Sequence, residues 1–247
     1  MLKLDAWLEI AKSAALKGGK YLLENQRTEL KILLNKGRDI KLQLDTDTEQ
    51  LIKNSLGSQS AFSILGEETG LSNDLGEFYW VVDPLDGTSN FLRDIPISCV
   101  SIALMQNLTP ILGVIYDFNH DDLYFGHVDS KAFVNQVEIK VSDYADKSQS
   151  TLVTGIPAKT NYSDNEFKHM IDDFQKWKKV RMIGSAAMAS VYVATGKADV
   201  YKEFGTYLWD VATGAAIVNA AGGTATIIDQ RDNFQVDVFF SNSKILD

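Results

Sequence analysis

The chain reads as an α/β protein built in layers, and three observations carry that reading. Apolar residues recur at helical spacing between residues 4 and 25. Between residues 98 and 127, three apolar runs are joined by short polar turns, the pattern of an antiparallel meander. From about residue 150 onward, short strand-like runs alternate with helical stretches, the pattern of a sheet layered with helices.

The first helix presents Leu4, Leu8, Ala11, Ala15 and Leu22 on one stripe, with Trp7, Ile10 and Ala14 beside it. Gly18-Gly19 weakens helix propensity, so a close packing contact or a bend is expected there. Lys36-Gly37-Arg38-Asp39 reads as an exposed, mobile loop. A second helix is expected over 45–56, with Asp45 or Thr46 as N-cap and Glu49 near N3. Residues 62–65 read as a short strand ending at Gly66-Glu67-Glu68-Thr69-Gly70. Residues 79–82 read as a buried strand that stops at a polar turn, Asp83-Pro84-Leu85-Asp86-Gly87-Thr88. The meander strands are 98–104, 111–116 and 123–127.

In the second half, strands are expected at 151–155, 180–183, 198–201, 224–228 and 238–240. Helices are expected at 164–177, 185–195 and 209–221, the last two closed by Gly196 and by Gly222-Gly223. No Pro/Gly/Ser-rich linker interrupts the chain near 150. Residues 1–148 and 149–247 are therefore expected to be two intimate halves of one unit.

Composition narrows the function. With 24 Lys+Arg against 33 Asp+Glu, the net charge of −9 argues against nucleic acid as a partner, which needs a basic face. Small phosphorylated ligands stay open, because a bound cation can offset their charge. Cys99 is the one cysteine, so no intrachain disulfide can form, and its apolar surroundings suggest a buried, inert thiol. The N-terminus carries Asp5 and Glu9 and lacks the apolar core of a signal peptide, and no apolar stretch has membrane-span length. The expected location is the cytoplasm.

The turn at 83–88 points to the chemistry. Two carboxylates three residues apart, clamped by Pro84 and Gly87, repel unless protons or cations compensate. Three further acidic clusters lie at expected strand ends or helix starts: Asp45 with Asp47 and Glu49, Glu67-Glu68, and Asp210. Taken singly, Asp45 reads as a helix cap, Glu67-Glu68 as a solvated turn and Asp210 as a first-turn acid. Together they form an oxygen-only set suited to Mg²⁺ or Mn²⁺, not to zinc. His120, His127 and His169 lie outside these clusters.

The ordered set Asp45, Glu67-Glu68, DPLDGT at 83–88, WDVA at 209–212 and Gly222-Gly223 resembles the inositol monophosphatase family of lithium-sensitive, Mg²⁺-dependent phosphatases. Gly184-Ser185-Ala186-Ala187, Ala194 to Asp199 and Glu203 resemble that family's substrate-holding segment. Asn90-Phe91, Pro96 and Val100-Ser101-Ile102 resemble its monophosphatase branch. Leu42 stands where a threonine is usual, Gln136 where an Asn-Gly turn is usual, and Thr213 where a smaller residue is usual.

The resemblance implies the sugar-phosphatase fold, an αβαβα sandwich with an antiparallel sheet in the first half and a mixed sheet in the second. It places the metal and phosphate motifs in 1–148 and the substrate contacts in 149–247. It further implies two to three Mg²⁺ ions, with Mn²⁺ a possible substitute. Glu67, Asp83 and the Leu85 carbonyl would hold the first ion, and Asp83, Asp86 and Asp210 the second. A looser third would involve Glu67 and, through water, Asp45. Thr88, with its hydroxyl near Glu67, would orient and deprotonate the attacking water, and Gly87 and Thr88 would receive the phosphate. Ala186 and Glu203 would contact substrate hydroxyls.

The implied reaction is hydrolysis of a small phosphorylated substrate, foremost myo-inositol 1-phosphate, inhibited by lithium, in a homodimer. The alternatives are a 3′(2′),5′-bisphosphate nucleotidase, a fructose-1,6-bisphosphatase, a histidinol-phosphate phosphatase or, in another class, a non-catalytic scaffold keeping the fold.

Overall fold

The computed structural model describes residues 3–27, 30–36, 39–158 and 160–246. Helix α1 (Leu4–Asn25) buries the expected stripe, and its Gly18 allows a close contact: an added Cβ would lie 2.9 Å from Ile52 Cδ1. A hairpin of β1 (Ile32–Lys36) and β2 (Asp39–Leu42) follows, which sequence reading left unassigned. Of the loop expected at 36–39, Lys36 instead ends β1 and Asp39 begins β2, paired across the two strands, while Gly37 and Arg38 lie outside the described residues. Helix α2 (Gln43–Gly57) begins two residues earlier than expected. Asp45 is therefore at N3 and not the N-cap, and its carboxylate accepts the Leu42 N–H at 2.9 Å.

The first sheet comprises β3 (Ser63–Gly66), β4 (Gly70–Leu71), β5 (Phe78–Asp86), β6 (Cys99–Gln106), β7 (Thr109–Asp117), β8 (Asp122–His127), β9 (Ala132–Val134) and β10 (Val137–Ile139), with the short helix α3 (Thr88–Phe91) between β5 and β6. Its order is β10-β9-β8-β7-β6-β5-β3-β4. The meander is antiparallel as expected, but β3 runs parallel to β5, so the sheet is not purely antiparallel. The reason is local. β4 takes up the antiparallel place beside β3, and the chain then returns to lay β5 on the other side of β3.

The second sheet, order β12-β11-β13-β15-β14, is mixed. It is built from β11 (Thr151–Thr154), β12 (Lys179–Met182), β13 (Val200–Tyr207), β14 (Thr224–Ile228) and β15 (Gln235–Ser241), interleaved with α4 (Asp164–Phe174), α5 (Ala186–Ala194) and α6 (Leu208–Ala220). β11 pairs in parallel with β12 and β13, and β15 pairs antiparallel with β13 and β14.

Helices α1 and α2 cover one face of the first sheet, where Leu8, Leu22, Ile52 and Leu56 pack with Trp80, Ile102 and Val114. Helices α5 and α6 are apolar on nearly every face and fill the space between the two sheets. Tyr79, Val81 and Met105 of the first sheet pack with Leu208 and Ala212 of α6, so the two halves share a core. Helix α4, with no buried residue, lies outermost on the second sheet. The expected αβαβα layering is what the chain adopts. Among the described residues, no helix is long and apolar enough to cross a membrane.

Candidate active site

Strand β5 does not stop at residue 82 but runs on through the acidic turn. Asp83 pairs with Ser101 and Asp86 with Cys99, so three steps on β5 are matched by two on β6. On a regular strand, residues three apart point to opposite faces. The extra residue of this bulge brings Asp83 and Asp86 to the same side. Pro84 sits inside the bulge, where no ladder N–H is required. Leu85 N–H donates to Asp83 Oδ1 at 3.0 Å, and the Thr88 hydroxyl donates to the Leu85 carbonyl at 3.0 Å. Gly87 adopts φ +86°, and a Cβ there would lie 2.7 Å from the Ile97 carbonyl oxygen.

Glu67 and Glu68 follow β3 on a turn that α2 holds in place. Glu49 is fully buried and accepts from Glu68 N–H at 2.8 Å, from Thr69 N–H at 3.1 Å and from the Thr69 hydroxyl, with Lys53 at 3.2 Å. Sequence reading puts Glu49 near the helix start, in the acidic cluster of Asp45 and Asp47, not beneath the Glu67-Glu68 turn. Its i,i+4 spacing to Lys53 was the available signal, but that spacing is common on exposed helix faces.

The second half supplies the opposite wall. Asp210, in the first turn of α6, accepts from Tyr207 N–H at 2.9 Å and the Thr206 hydroxyl at 2.8 Å. Asp86 reaches across to α5, accepting from Ala187 N–H at 2.9 Å, Ala186 N–H at 3.3 Å and the Ser185 hydroxyl. Glu203, on β13, is joined to the Tyr201 hydroxyl at 3.0 Å. Thr213 accepts from the Ser101 hydroxyl at 2.8 Å, a buried link between α6 and the first sheet.

These walls enclose a cleft of about 350 Å³ lined by Glu67, Asp86, Gly87, Thr88, Ala186, Glu203 and Asp210, among others. Asp83 and Leu85 are buried beneath it. The carboxylates of Glu67, Asp83 and Asp210 bring oxygens within 4.8 Å of one another. Asp45 lies to one side, buried, its Oδ1 without a partner among the described residues. A larger cavity of about 560 Å³ lies beyond Thr154 and Gly155, beneath α4. It is larger but, among the described residues, lacks such a convergence of carboxylates. Of the histidines, His120 pairs with Asp117, His127 with Asp5, and His169 borders the larger cavity.

Burial is the first cause of every carboxyl shift in this cleft. It pushes Glu67 and Asp83 well above the usual carboxylate range, and the surrounding negative charges push further. Asp86 and Asp45 rise to about 7 and Glu203 to about 8. The Glu67 and Asp83 carboxylates lie close together, so each opposes the ionisation of the other. A partly buried all-oxygen set with crowded negative charge fits a hard divalent cation. Burial also pushes the Cys99 thiol up, as expected of an inert cysteine.

Comparison with known proteins agrees with this chemistry. The sequence profile described as "Inositol monophosphatase family" matches residues 3–246. A protein of Aquifex aeolicus named fructose-1,6-bisphosphatase/inositol-1-monophosphatase is 33% identical over 234 residues, covering 93% of this chain and 89% of that protein. A Xylella fastidiosa protein named Nus factor SuhB is 36% identical over 220 residues, 87% of this chain and 80% of its own. The solved structure of inositol monophosphatase from Anabaena superposes with a TM-score of 0.85 at 34% identity, covering 98% of this chain and 93% of that one.

Proposed function

The chain belongs to the inositol monophosphatase family, a metal-dependent phosphatase by descent, and on that premise we propose that it hydrolyses the phosphate monoester of a small polyol, foremost myo-inositol 1-phosphate. The observation that carries the reading is the approach of Glu67, Asp83 and Asp210 within 4.8 Å, beneath a cleft whose far wall bears Glu203.

In this reading Glu67, Asp83 and the Leu85 carbonyl would hold one Mg²⁺, and Asp83, Asp86 and Asp210 would hold a second. Mn²⁺ would suit the same oxygens. Bound there, the ions offset the charge of the phosphate oxygens, lower the pKa of water and stabilise the departing alkoxide.

The chain's own groups do the rest. Asp86 keeps both oxygens on Ser185 and the α5 amides, yet a carboxylate has about four lone-pair sites, so a cation can share it. The Thr88 proton is committed to the Leu85 carbonyl, so the hydroxyl oxygen presents lone pairs to the attacking water and orients it. Glu67 receives the water's proton. Gly87, lacking a side chain, lets phosphate approach the backbone at the start of α3. Glu203 and the Ala186 backbone meet the hydroxyls of the alcohol portion.

The decisive measurement is phosphate release from inositol 1-phosphate with and without Mg²⁺. Asp83→Asn and Thr88→Ala should each lose most of kcat, on the order of a hundredfold or more. Undiminished turnover in chelator, or by Asp83→Asn, would sink the proposal. The Aquifex relative's double name supports fructose 1,6-bisphosphate as a second substrate. A panel adding phosphoadenosine phosphate and histidinol phosphate, with and without lithium, ranks the candidates. A cytoplasmic homodimer completes the reading. Ile171, Met182 and Phe204 are exposed apolar side chains in the second half that a partner subunit would cover.

A further inference from the structure

The Asp45 side of the cleft carries a cation of its own. Lys41, on β2, places Nζ 3.1 Å from both carboxylate oxygens of Glu68. The two side chains are 23% and 6% exposed, so the pair is largely withdrawn from water and weakly screened by salt. Its charge reaches further than Glu68. Burial first, and then neighbouring negative charge (Asp210 and Glu68 at Glu67, Glu68 at Asp45), holds the Glu67 and Asp45 carboxyls up, and the Lys41 ammonium acts against both. Asp45 accepts the Leu42 N–H with one oxygen and keeps the other, Oδ1, buried and without a partner among the described residues. Among the described residues, the Lys41 ammonium thus holds the Glu68 carboxylate directly and acts on Asp45 and Glu67 from nearby. The flanking Leu42 and Leu44 are buried, and their side chains bring no oxygen donor to this side.

We propose that the Lys41 ammonium is the resident counter-charge on the Asp45–Glu68 side, standing in for a third divalent cation, so that this chain works with two ions. A divalent ion drawn to Asp45 Oδ1 and Glu67 would have to settle beside that ammonium, and like charges in a partly buried setting repel strongly. Lysine suits the task because it delivers a compact point charge on a flexible stem. The inference rests on the metal-dependent reading of the cleft and adds the number of ions and the residue that sets it.

The test is a count of Mn²⁺ bound per chain, read by electron paramagnetic resonance on the full protein with inorganic phosphate present. Wild type should hold two ions, and Lys41→Met and Lys41→Gln should hold a third at the same free Mn²⁺. Lys41→Arg, which keeps the charge, should stay at two. Should Lys41→Met fail to fold by circular dichroism, Lys41→Gln carries the test, because its amide can still donate to Glu68. A neutral variant with the wild-type count, or a wild type already holding three, overturns the assignment of Lys41 while leaving the phosphatase reading intact. A wild type that binds no Mn²⁺ overturns both.

Discussion

The bulge in β5 and the bulge in β13 perform the same geometric task in the two sheets, yet they are held by different kinds of contact. In β5 the extra residue turns Asp83 and Asp86 to one side. In β13, Phe204 and Thr206 pair with the adjacent Asp237 and Val236, and the extra residue brings Glu203 and Thr206 to the same cleft. The first bulge is stabilised from within, by Leu85 N–H on Asp83, by the Thr88 hydroxyl on Leu85 and by the ring of Pro84.

The second is held from afar. Gly205, at φ +75°, donates its N–H to Asp237 Oδ1 at 2.7 Å, and Arg231 pairs with Asp237 at 3.1 Å. The Thr160 hydroxyl donates to the Gly205 carbonyl at 2.9 Å, and the Tyr162 hydroxyl to the Phe204 carbonyl at 2.8 Å. A bulge whose backbone is held by its own residues should tolerate change elsewhere in the chain, even though its Asp86 carboxylate reaches α5. A bulge held by remote side chains should fail one contact at a time.

The largest expected effect strikes the first bulge. Asp86→Asn keeps an acceptor for the α5 amides but removes a charge from the proposed metal set. We expect kcat for phosphate release to fall about a thousandfold, roughly 4 kcal/mol of barrier, with the fold retained. A variant within tenfold of wild type would show that Asp86 serves α5 alone.

Next in size is the coupling of cations to pH. Burial raises Asp45 and Asp86 to about 7 and Glu203 to about 8, from ordinary values of 3.8 and 4.5. The folded chain thus keeps protons that the unfolded chain has released. In metal-free protein, stability should fall as pH rises from about 4 toward about 8, and be flat below that window. Mg²⁺ requires the ionised carboxylates, so its stabilisation, about 3 kcal/mol at a hundred times Kd, should be greater at about pH 8 than at about pH 6. Thermal melts with and without Mg²⁺ decide this, and an equal shift at both pH values would contradict it.

Gly205→Ala probes the second bulge directly. Its positive φ disfavours a side chain, and a Cβ would collide with Thr160, so a loss of roughly 1–3 kcal/mol is expected in denaturant titration. KM should rise with it as Glu203 shifts. Thr160→Ala, which removes one of several anchors, should cost about 1 kcal/mol, because Gln235 also donates to the Gly205 carbonyl, at 3.3 Å. A larger loss from Thr160→Ala than from Gly205→Ala would mean that the anchors, and not the glycine, define the bulge.

The same division between local and remote contacts marks what could be read from the chain alone. The strand entering 83–88, the acids at 45, 67, 68 and 210, the helices closed by Gly196 and Gly222, and the layered α/β order were all legible. Each depends on residues within a turn or two of one another. The amino-acid order determined that these carboxylates exist, that a proline and a glycine confine two of them, and that they end strands or begin helices.

Only the tertiary structure decided that β5 continues through the motif as a bulge, because the extra residue shows only in the pairing with β6. Likewise, it placed Glu49 under the Glu67-Glu68 turn, Lys41 against Glu68 and Asp86 at the start of α5. The physical reason is separation along the chain. A carboxylate's neighbours in space set its charge, its proton and its ligand, and for DPLDGT most of those neighbours come from strands and helices that sequence spacing does not bring together.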